Sequence, residues 1–421
     1  MINLDKKALP QSDRNFAAIA LFVAFFFVFI SRGMADTWLV FLLPIEQELS
    51  SSRQQSTGVY STYMLVSGLG APFSGLLISR FGARICYAVG VSFIAAGSLL
   101  ACVSSNLWQL YLYIGVLASL GISAIGIVPA SAIIGRWFPN SLSTAMATVY
   151  AALGTGSLLL VPMVQWAIDK EGWRNAYAML GYFMLIMILI VLVLPWEKIT
   201  NLKTDVLDDR DMSTVNEKAI TLSQAVFHPL FLALLFSFGF TGFSMYLTIV
   251  QIVPLLIDVG NSPLRSATIF GVSGMLSVFG VLSSGWISDR VGLRPVALIS
   301  FCLSLTGIFC LLRLTYDPSE WLIVAFICTF GLAQGARGPI VAAMSNRFFV
   351  GPAGPVIFGV VHSASMIGAG AGAWLSGFLH DVSGSYRMGL LIAATGIVLA
   401  AIPFVLIKSF RNPRPISYPF R

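Results

Sequence analysis

The sequence predicts an all-α membrane protein, with twelve transmembrane helices in two pseudo-symmetric six-helix bundles. First, the 421 residues are 57% hydrophobic and only 10% charged, with a mean hydropathy of +0.86, which is more apolar surface than a soluble domain of this length could bury. Second, apolar runs of about 20 residues recur along the chain, and a helix of that length spans a bilayer. Third, one long polar stretch separates these runs into two equal sets.

The apolar runs give the positions of the spans. The first run lacks a small-residue cleavage site, so it is taken as a membrane helix and not as a signal peptide. The charge-rich stretch 196–227 is expected to link an N-terminal bundle, 1–195, to a C-terminal bundle, 228–421. The expected spans are 16–43, 57–79, 85–104, 107–134, 141–168, 174–195, 228–257, 264–287, 293–314, 321–345, 354–379 and 386–408.

The basic residues predict the orientation. Most Lys and Arg residues outside the spans fall in segments on the same side as the two termini, and such an excess marks the cytoplasmic side of a membrane. We therefore expect both termini and the linker in the cytoplasm, with the chain in the inner membrane of a bacterium. The net charge of +7 then reflects topology, so no nucleic-acid partner is expected.

The sequence carries no sign of catalytic or metal chemistry. It has no phosphate-binding glycine loop and no nucleophile elbow. All five cysteines lie in apolar runs, without the spacing of metal ligands or of a disulfide framework. We therefore expect no enzyme activity, no catalytic residues, no metal and no cofactor. The cysteines are Cys86, Cys102, Cys302, Cys310 and Cys328.

Two internal repeats relate the halves. The segment "GLLISRFGAR" (75–84) follows span 2, and "GWISDRVGLR" (285–294) follows span 8. Spans 4 and 10 also match, since "GISAIGIVPASAIIGRWF" (121–138) and "GLAQGARGPIVAAMSNRFF" (331–349) each have a Gly, a Pro eight residues later and an Arg near the end. Internal repeats of this kind are typical of transporters.

The paired loop motif resembles that of the major facilitator superfamily. The resemblance covers nearly the whole chain and implies two bundles that rock about a central site. It also implies a cytoplasmic gate, in which arginines and an acid bond to facing helix ends while glycines permit tight turns. Ser79 stands where the family usually has an Asp, so Asp289 is expected to matter more. The gate residues are expected to be Arg80, Gly82, Arg84, Asp289, Arg290, Gly292 and Arg294; the alternative is that the basic ones only set topology.

A narrower resemblance links the chain to bacterial permeases of the monocarboxylate porter and oxalate/formate carrier group. The segments that carry it are "GRWFPNSLSTAMA" (135–147), "GWRNAYAMLG" (172–181), "GARGP" (335–339) and "DVSGSYR" (381–387). Span 8 lacks the acid and arginine of the animal monocarboxylate carriers, and span 11 lacks the lysine of the oxalate carriers. The resemblance therefore implies a group of carriers without naming a substrate.

Four ionisable residues lie well inside spans: Arg32 and Asp36 in span 1, Arg337 in span 10 and His362 in span 11. Such residues are costly in lipid, by at least about 2.5 kcal/mol each, so they usually face a cavity or a partner. We predict that Arg337, and secondarily Arg32, bind a substrate anion, and that Asp36 or His362 carries a proton. The alternatives are a self-satisfied Arg32–Asp36 pair that fixes packing, a structural or gating Arg337 and a hydrogen-bonded His362.

Further polar side chains lie in spans that line the cavity in this superfamily. Each is a weaker candidate for substrate binding, because Tyr and Ser also join helices in membranes. They are Tyr63, Tyr113, Tyr150, Tyr246, Gln251, Ser273 and Ser277.

The predicted function is secondary transport of a small organic anion, a monocarboxylate, together with a proton. Its partners are that anion, protons and the lipid bilayer, and a monomer is expected to be the functional unit. The alternative is proton-coupled efflux or exchange of drug-like or aromatic compounds, although span 5 lacks the full G-x-x-x-G-P pattern of drug exporters. A sensor built on a carrier fold is a third hypothesis, which the short tails disfavour.

Overall fold

The computed structural model of the chain describes residues 11–51, 53–138, 141–200, 222–351, 353–411 and 413. Within these residues, nine helical stretches are long and apolar enough to cross a membrane. Two of the nine stretches contain two predicted spans each, so the nine account for eleven of the twelve predicted spans. The remaining one, span 10, is a helix that is broken in its middle. The membrane helices are therefore numbered α1 to α12 in chain order, as the sequence predicts.

The N-terminal half holds α1 to α6. Its elements are α1, Gln11–Asp36 continued after Thr37 by Trp38–Glu48; α2 and α3, the two parts of Arg53–Cys102; α4, built of Leu107–Leu110, Tyr111–Ala118, Ser119–Ala124 and Ile127–Trp137; and α5 and α6, the two parts of Leu142–Val193. Most of the predicted linker, 201–221, lies outside the described residues.

The C-terminal half holds α7 to α12. Its elements are α7, Pro229–Asp258; α8, Pro263–Val291; α9, Leu293–Leu314; α10, built of Glu320–Phe326, Ile327–Gly331 and Arg337–Phe348; α11, Gly354–Ser383; and α12, Arg387–Leu406. The short helices Trp196–Thr200, Leu222–Val226 and Lys408–Phe410 lie outside the membrane helices.

Glycines make the tight turns between consecutive helices. Gly82 divides α2 from α3 with φ +80° and ψ 172°, and Gly172 divides α5 from α6 with φ +78° and ψ 164°. Gly292, between α8 and α9, has φ +106° and ψ 156°. Residues with a side chain rarely adopt these angles, so only glycine lets the chain reverse here without a longer loop. We call the side of the bundle that holds Gly82 and Gly292 the latch side.

The predicted spans 4 and 10 are not continuous helices. Each contains a π-helical segment, Tyr111–Ala118 in α4 and Ile327–Gly331 in α10, and then a break. The breaks lie at Ile125–Gly126 and at 334–336, which are equivalent places in the two repeats. The physical reason is proline, because Pro129 and Pro339 lack an N–H and clash with the carbonyl four residues earlier. We call Ile127–Trp137 and Arg337–Phe348 the inner segments of α4 and α10.

The two halves pack closely on the latch side. There α2 packs on α11, and α5 packs on α8. A methyl group in place of the Gly75 hydrogen would overlap the Pro355 carbonyl, and one on Gly285 would overlap the Ser143 carbonyl. These glycines occupy the same place in the two loop repeats, so the contacts are pseudo-symmetric. The latch side is therefore closed in this structure.

Candidate functional site

Arg32 and Asp36 form an ion pair in the middle of α1. The Arg32 Nε donates to Asp36 Oδ2 at 2.8 Å, as expected for residues one helical turn apart. The Arg32 side chain is 30% exposed and the Asp36 side chain 9%. The arginine side chain is therefore partly accessible, whereas the aspartate side chain is almost fully covered.

Tyrosines from both halves lie near this ion pair. The Tyr60 hydroxyl donates to Asp36 Oδ1 over 3.5 Å, and the Tyr60 and Tyr63 rings lie 5.5 Å apart. Tyr63 and, from α7 in the other half, Tyr246 are within electrostatic range of the guanidinium. The group of Arg32, Asp36, Tyr60, Tyr63 and Tyr246, which we call the central cluster, thus spans the interface between the halves.

Tyr60 is the member of the central cluster that sequence reasoning missed. It lies three residues before Tyr63, so both share one face of α2. That spacing could have identified it. Tyr113, by contrast, lies in the π-helical segment of α4, where its carbonyl approaches Gly97 of α3, and no contact in the described residues joins it to the central cluster.

Arg337 lies inside the C-terminal half. Its Nη1 donates to the Ser304 hydroxyl at 2.9 Å and to the Ser300 carbonyl at 3.3 Å, and its Nη2 contacts the Met245 sulfur at 3.0 Å. The guanidinium also lies 4.9 Å from the centre of the Phe301 ring. Only 3% of the residue is exposed. These contacts are with α7 and α9 and not with the central cluster.

The remaining candidates are dispersed. His362 lies between Phe238 and Phe358, and its buried Nδ1 has no partner in the described part of the chain. Gln251 donates to the Ser376 carbonyl at 3.0 Å and so joins α7 to α11. Ser273 is buried without a hydroxyl partner among the described residues, and Ser277 bonds within its own helix.

Tyr150 of α5 is a contact between the halves. Its ring lies against Gly338 in the first turn of the inner segment of α10. A side chain on Gly338 would overlap that ring. The Tyr150 hydroxyl is buried and has no partner among the described residues.

Asp289 makes the polar contact between the halves on the latch side. Its carboxylate accepts hydrogen bonds from the Thr144 amide at 2.8 Å, the Thr144 hydroxyl at 2.7 Å and the Ser143 amide at 3.2 Å. Arg347 lies 3.6 Å away on the other side. An acid from α8 therefore caps the N-terminus of α5, where orphan amides and the helix dipole favour negative charge.

Among the residues that the structure describes, the N-terminal repeat shows no equivalent cap. Ser79 stands in the place of Asp289, and its hydroxyl bonds back to the Leu76 carbonyl at 3.0 Å. The helix that it would face begins at Gly354, and its second residue, Pro355, has no amide hydrogen to donate. We call the contact of Asp289 with Ser143 and Thr144 the latch; it is present in one of the two repeats.

The arginines of the loop motif bond within their own halves and not across the interface. Arg84 donates to the Leu192 carbonyl at the end of α6 at 3.1 Å. Arg294 donates to the Phe404 and Val405 carbonyls at the end of α12, at 2.6 and 2.7 Å. Arg80 and Arg290 stack on Phe81 and Trp286 at 5.9 and 3.8 Å. Only Asp289 of the predicted gate therefore bonds to the facing half.

A second pseudo-symmetric pair of contacts lies on the side opposite the latch, and sequence reasoning did not identify it. In the N-terminal half, Trp173 and Arg174 at the start of α6 donate to Glu48 at the end of α1, at 2.5 and 2.8 Å. The Trp173 hydrogen bond and then Arg174 lower the pKa of the Glu48 carboxyl. The segments "GWR" and "SYR", which precede α6 and α12, were the available signal.

In the C-terminal half, the Tyr386 hydroxyl donates to Asp258 at 2.7 Å, and Arg387 donates to the Thr315 carbonyl at 3.1 Å. Burial, together with the hydrogen bond to Asp258, raises the pKa of Tyr386 to about 12. The hydroxyl therefore remains a donor at physiological pH. In the N-terminal half, Arg174 also donates to the Cys102 carbonyl at the end of α3, at 3.3 Å. Each half thus ties the ends of its first and third helices to the start of its last.

The fold and the sequence place the chain in a known class. The family model of the Major Facilitator Superfamily matches residues 21–295 and 258–419, so the chain belongs to this superfamily of membrane transporters. The solved structure of the proton:xylose symporter XylE matches with a TM-score of 0.77 over 93% of this chain and 95% of that one, at 11% identity. The fucose:proton symporter FucP of E. coli matches with a TM-score of 0.66 over 92% and 98%, at 14% identity.

Curated relatives are distant but match along nearly their full length. Monocarboxylate transporter 13 of Rattus norvegicus is 24% identical over 96% of this chain and 93% of its own length. Monocarboxylate transporter 12 of Mus musculus is 23% identical over 93% and 85%. The uncharacterized MFS-type transporter YcxA of Bacillus subtilis is 27% identical over 92% and 93%.

Proposed function

We propose that this chain is a secondary transporter that moves a small organic anion, a monocarboxylate, together with a proton. The observation that carries the proposal is the Arg32–Asp36 pair, in which a partly exposed arginine side chain holds a buried aspartate near Tyr246 of the other half. The monocarboxylate transporters among the relatives and the proton symporters among the structural neighbours support it.

Arg32 is the proposed anion site. Its planar guanidinium is suited to bind a carboxylate through two parallel hydrogen bonds. One of its donors already holds Asp36, so an incoming carboxylate competes with that residue. The three tyrosines of the central cluster surround the bound anion with aromatic surface and hydroxyl groups.

The same competition couples a proton to the substrate. When the substrate displaces Asp36, that carboxylate loses its counter-charge inside the membrane, where an unpaired charge is costly. Proton uptake removes the charge, so the binding of one anion favours the binding of one proton. The loaded carrier then holds the same net charge as the empty one, and a pH gradient drives the cycle with little opposition from the membrane potential.

The remaining predictions belong to this proposal. His362 is the second candidate for the proton and Arg337 the second for the anion. The Asp289 latch closes the cytoplasmic side, both termini are cytoplasmic, and the monomer in a bacterial inner membrane is the transporting unit.

The test is uptake into proteoliposomes under an imposed proton gradient, with labelled lactate, benzoate and oxalate as probes. We expect the wild-type protein to accumulate a monocarboxylate when the gradient is imposed. Arg32→Gln should lower kcat/KM for that monocarboxylate about 10- to 100-fold, because the variant loses charged hydrogen bonds worth about 1.5–3 kcal/mol. Asp36→Asn should still exchange substrate across the membrane but no longer accumulate it. Arg265→Gln, which removes an exposed arginine at the start of α8, is the matched control. Uptake that ignores the pH gradient, or an Arg32→Gln carrier with normal transport, would contradict the proposal.

A further inference from the structure

The inner segment of α10 begins at a break in the backbone. Gly335 has φ +116°, and residues 334–336 form turns and not helix. At this break the Ser284 hydroxyl of α8 lies within hydrogen-bond distance of the Ala336 carbonyl, at 3.1 Å, and of the Val281 carbonyl of its own helix, at 2.8 Å. The inner segment of α10 is thus a separate helix, which we call the rod, and a short hinge joins it to the rest of α10.

Arg337 is the first residue of that rod. Its guanidinium contacts two oxygens of α9 and the Met245 sulfur of α7, and none of the described acids forms an ion pair with it. Neutral partners on two neighbouring helices hold the charge in place. Arg337 therefore fastens the membrane end of the rod to the C-terminal half.

The other end of the rod lies at the latch. Arg347, in its last turn, lies 3.6 Å from Asp289, the residue that caps α5. The neighbouring Asn346 side chain lies 3.4 Å from the place that a Gly135 Cβ would occupy on the inner segment of α4. The rod also carries Gly338, on which Tyr150 of α5 packs. One rigid segment therefore runs from the Arg337 contacts to the closed interface.

We infer that the inner segment of α10 is a lever of the latch, hinged at 334–336, and that Arg337 is a positioning residue that sets its angle. The inference rests on the proposed function only in that the latch opens during transport. Met245 precedes Tyr246 of the central cluster, so the arginine ties the lever to the part of α7 that faces the substrate site. A shift of α7 on substrate binding is thereby transmitted to Arg347 and Asp289.

The N-terminal repeat offers an internal control. Ile127 takes the place of Arg337 when Gly121 is aligned with Gly331, and it is buried among apolar residues. It has no charged group with which to fasten the inner segment of α4. The lever and the Asp289 latch both belong to the C-terminal half, so the two halves contribute unequally to the gate.

The experiment is disulfide formation between cysteines at positions 135 and 346, in a full-length carrier whose five native cysteines are replaced. The pair reports closure of the latch side, because a Cβ at position 135 would lie 3.4 Å from the Asn346 side chain across the interface, and two cysteines form a disulfide when their Cβ atoms come within about 4.5 Å. Arg337→Ala is expected to slow cross-linking at least tenfold, and Met245→Leu several-fold, whereas Ile127→Ala leaves the rate unchanged. The Ile127→Ala variant also controls for a general loss of core packing.

Two outcomes would overturn the inference. Wild-type cross-linking in Arg337→Ala would show that the lever does not depend on this residue, and a raised KM for labelled lactate with unchanged kcat would make Arg337 a substrate ligand instead. If Arg337→Ala fails to purify as a folded protein, the Ser304→Ala, Met245→Leu double variant takes its place under the same criteria. Cross-linking requires no substrate, so it can succeed or fail independently of carboxylate transport.

Discussion

At the scale of single residues, the position of each charge is explained by its partner. Arg32 and Asp36 are one turn apart, so α1 alone brings them together. Arg337 has no such neighbour on its own helix, and a serine hydroxyl, a carbonyl and a sulfur from other helices hold it. An arginine that is paired with an acid can exchange that acid for a substrate anion. An arginine that is held by neutral groups of neighbouring helices is better suited to hold those helices together. This difference is why we place the anion on Arg32 first.

Glu48 provides a prediction for the side opposite the latch. Its carboxylate accepts from Trp173 and Arg174, and these contacts hold its pKa below the ordinary 4.5. A lowered pKa means that the stabilisation is complete above the pKa of the unfolded chain and is lost as the pH falls through the lower pKa of the folded state. Glu48→Gln is expected to cost about 1 kcal/mol at pH 7, after allowance for solvent screening.

The measurement is thermal unfolding in detergent between pH 3.5 and pH 8, with Glu171→Gln as the control for an exposed acid nearby. The gap between the wild type and Glu48→Gln is expected to be constant from pH 8 to pH 6 and to narrow below the ordinary pKa of 4.5. A gap of the same size at every pH would show that the carboxylate charge is not responsible.

At the scale of helices, the latch depends on how two helix ends are built. The N-terminus of α5 presents free amides from Ser143 and Thr144, and Asp289 accepts from both. In the first turn of α11, Pro355 follows Gly354 and takes the place of one amide donor, because proline has no amide hydrogen. An acid at position 79 would therefore find fewer amide donors on α11. The presence of Ser79 in its place consequently weakens the closed interface only slightly.

Removal of the acid should open the latch. Asp289→Ala loses charged hydrogen bonds that each contribute about 1.5–3 kcal/mol, so the ratio of closed to open carriers is expected to fall about tenfold or more. Electron spin resonance distances between labels at positions 80 and 290, both exposed and in opposite halves, measure that ratio. Asp317→Ala, an exposed acid on the opposite side, should leave the distances unchanged; a closed latch in Asp289→Ala would show that glycine packing alone holds it.

At the scale of the whole molecule, the structure is a carrier closed on one side. The halves meet at Gly75 and Gly285 with no room for a side chain, while Arg32 keeps 30% of its side chain exposed. Because the latch side is shut, the space in front of Arg32 is expected to connect to the opposite side of the membrane.

A cysteine at position 246 tests this access. In a carrier without its native cysteines, Tyr246→Cys should react with a membrane-impermeant thiol reagent added on the side opposite the latch, and at least tenfold more slowly from the latch side. Vesicles of both orientations allow the two rates to be compared, with Met344→Cys, a fully buried position, as the unreactive control. Equal rates from both sides would contradict a closed latch.

Some features of this protein are decided within single stretches of the chain. The number of membrane helices follows from the length of apolar runs, because a bilayer of fixed thickness requires about 20 residues per span. The Arg32–Asp36 pair follows from helical spacing, and the loop repeat predicts that the two halves share one architecture. These features depend on local geometry and on the surrounding lipid, so no partner helix is needed to predict them.

Other features depend on which helices become neighbours. The sequence predicts Arg337 as an anion site because no acid lies near it in the chain, but packing surrounds it with Ser304, Met245 and Phe301 from elsewhere. Tyr246 joins Arg32, and Asp289 caps α5, only because the two halves meet. Pro129 and Pro339 could have indicated the breaks in α4 and α10, but only the packing of α8 on α10 places the Ser284 hydroxyl beside the second break. By itself the sequence determined the helices, their number, their repeat and the Arg32–Asp36 pair within α1. The tertiary structure alone decided the partners of the charges that bond to other helices, because in a membrane a buried polar group is satisfied by whichever helix packs against it.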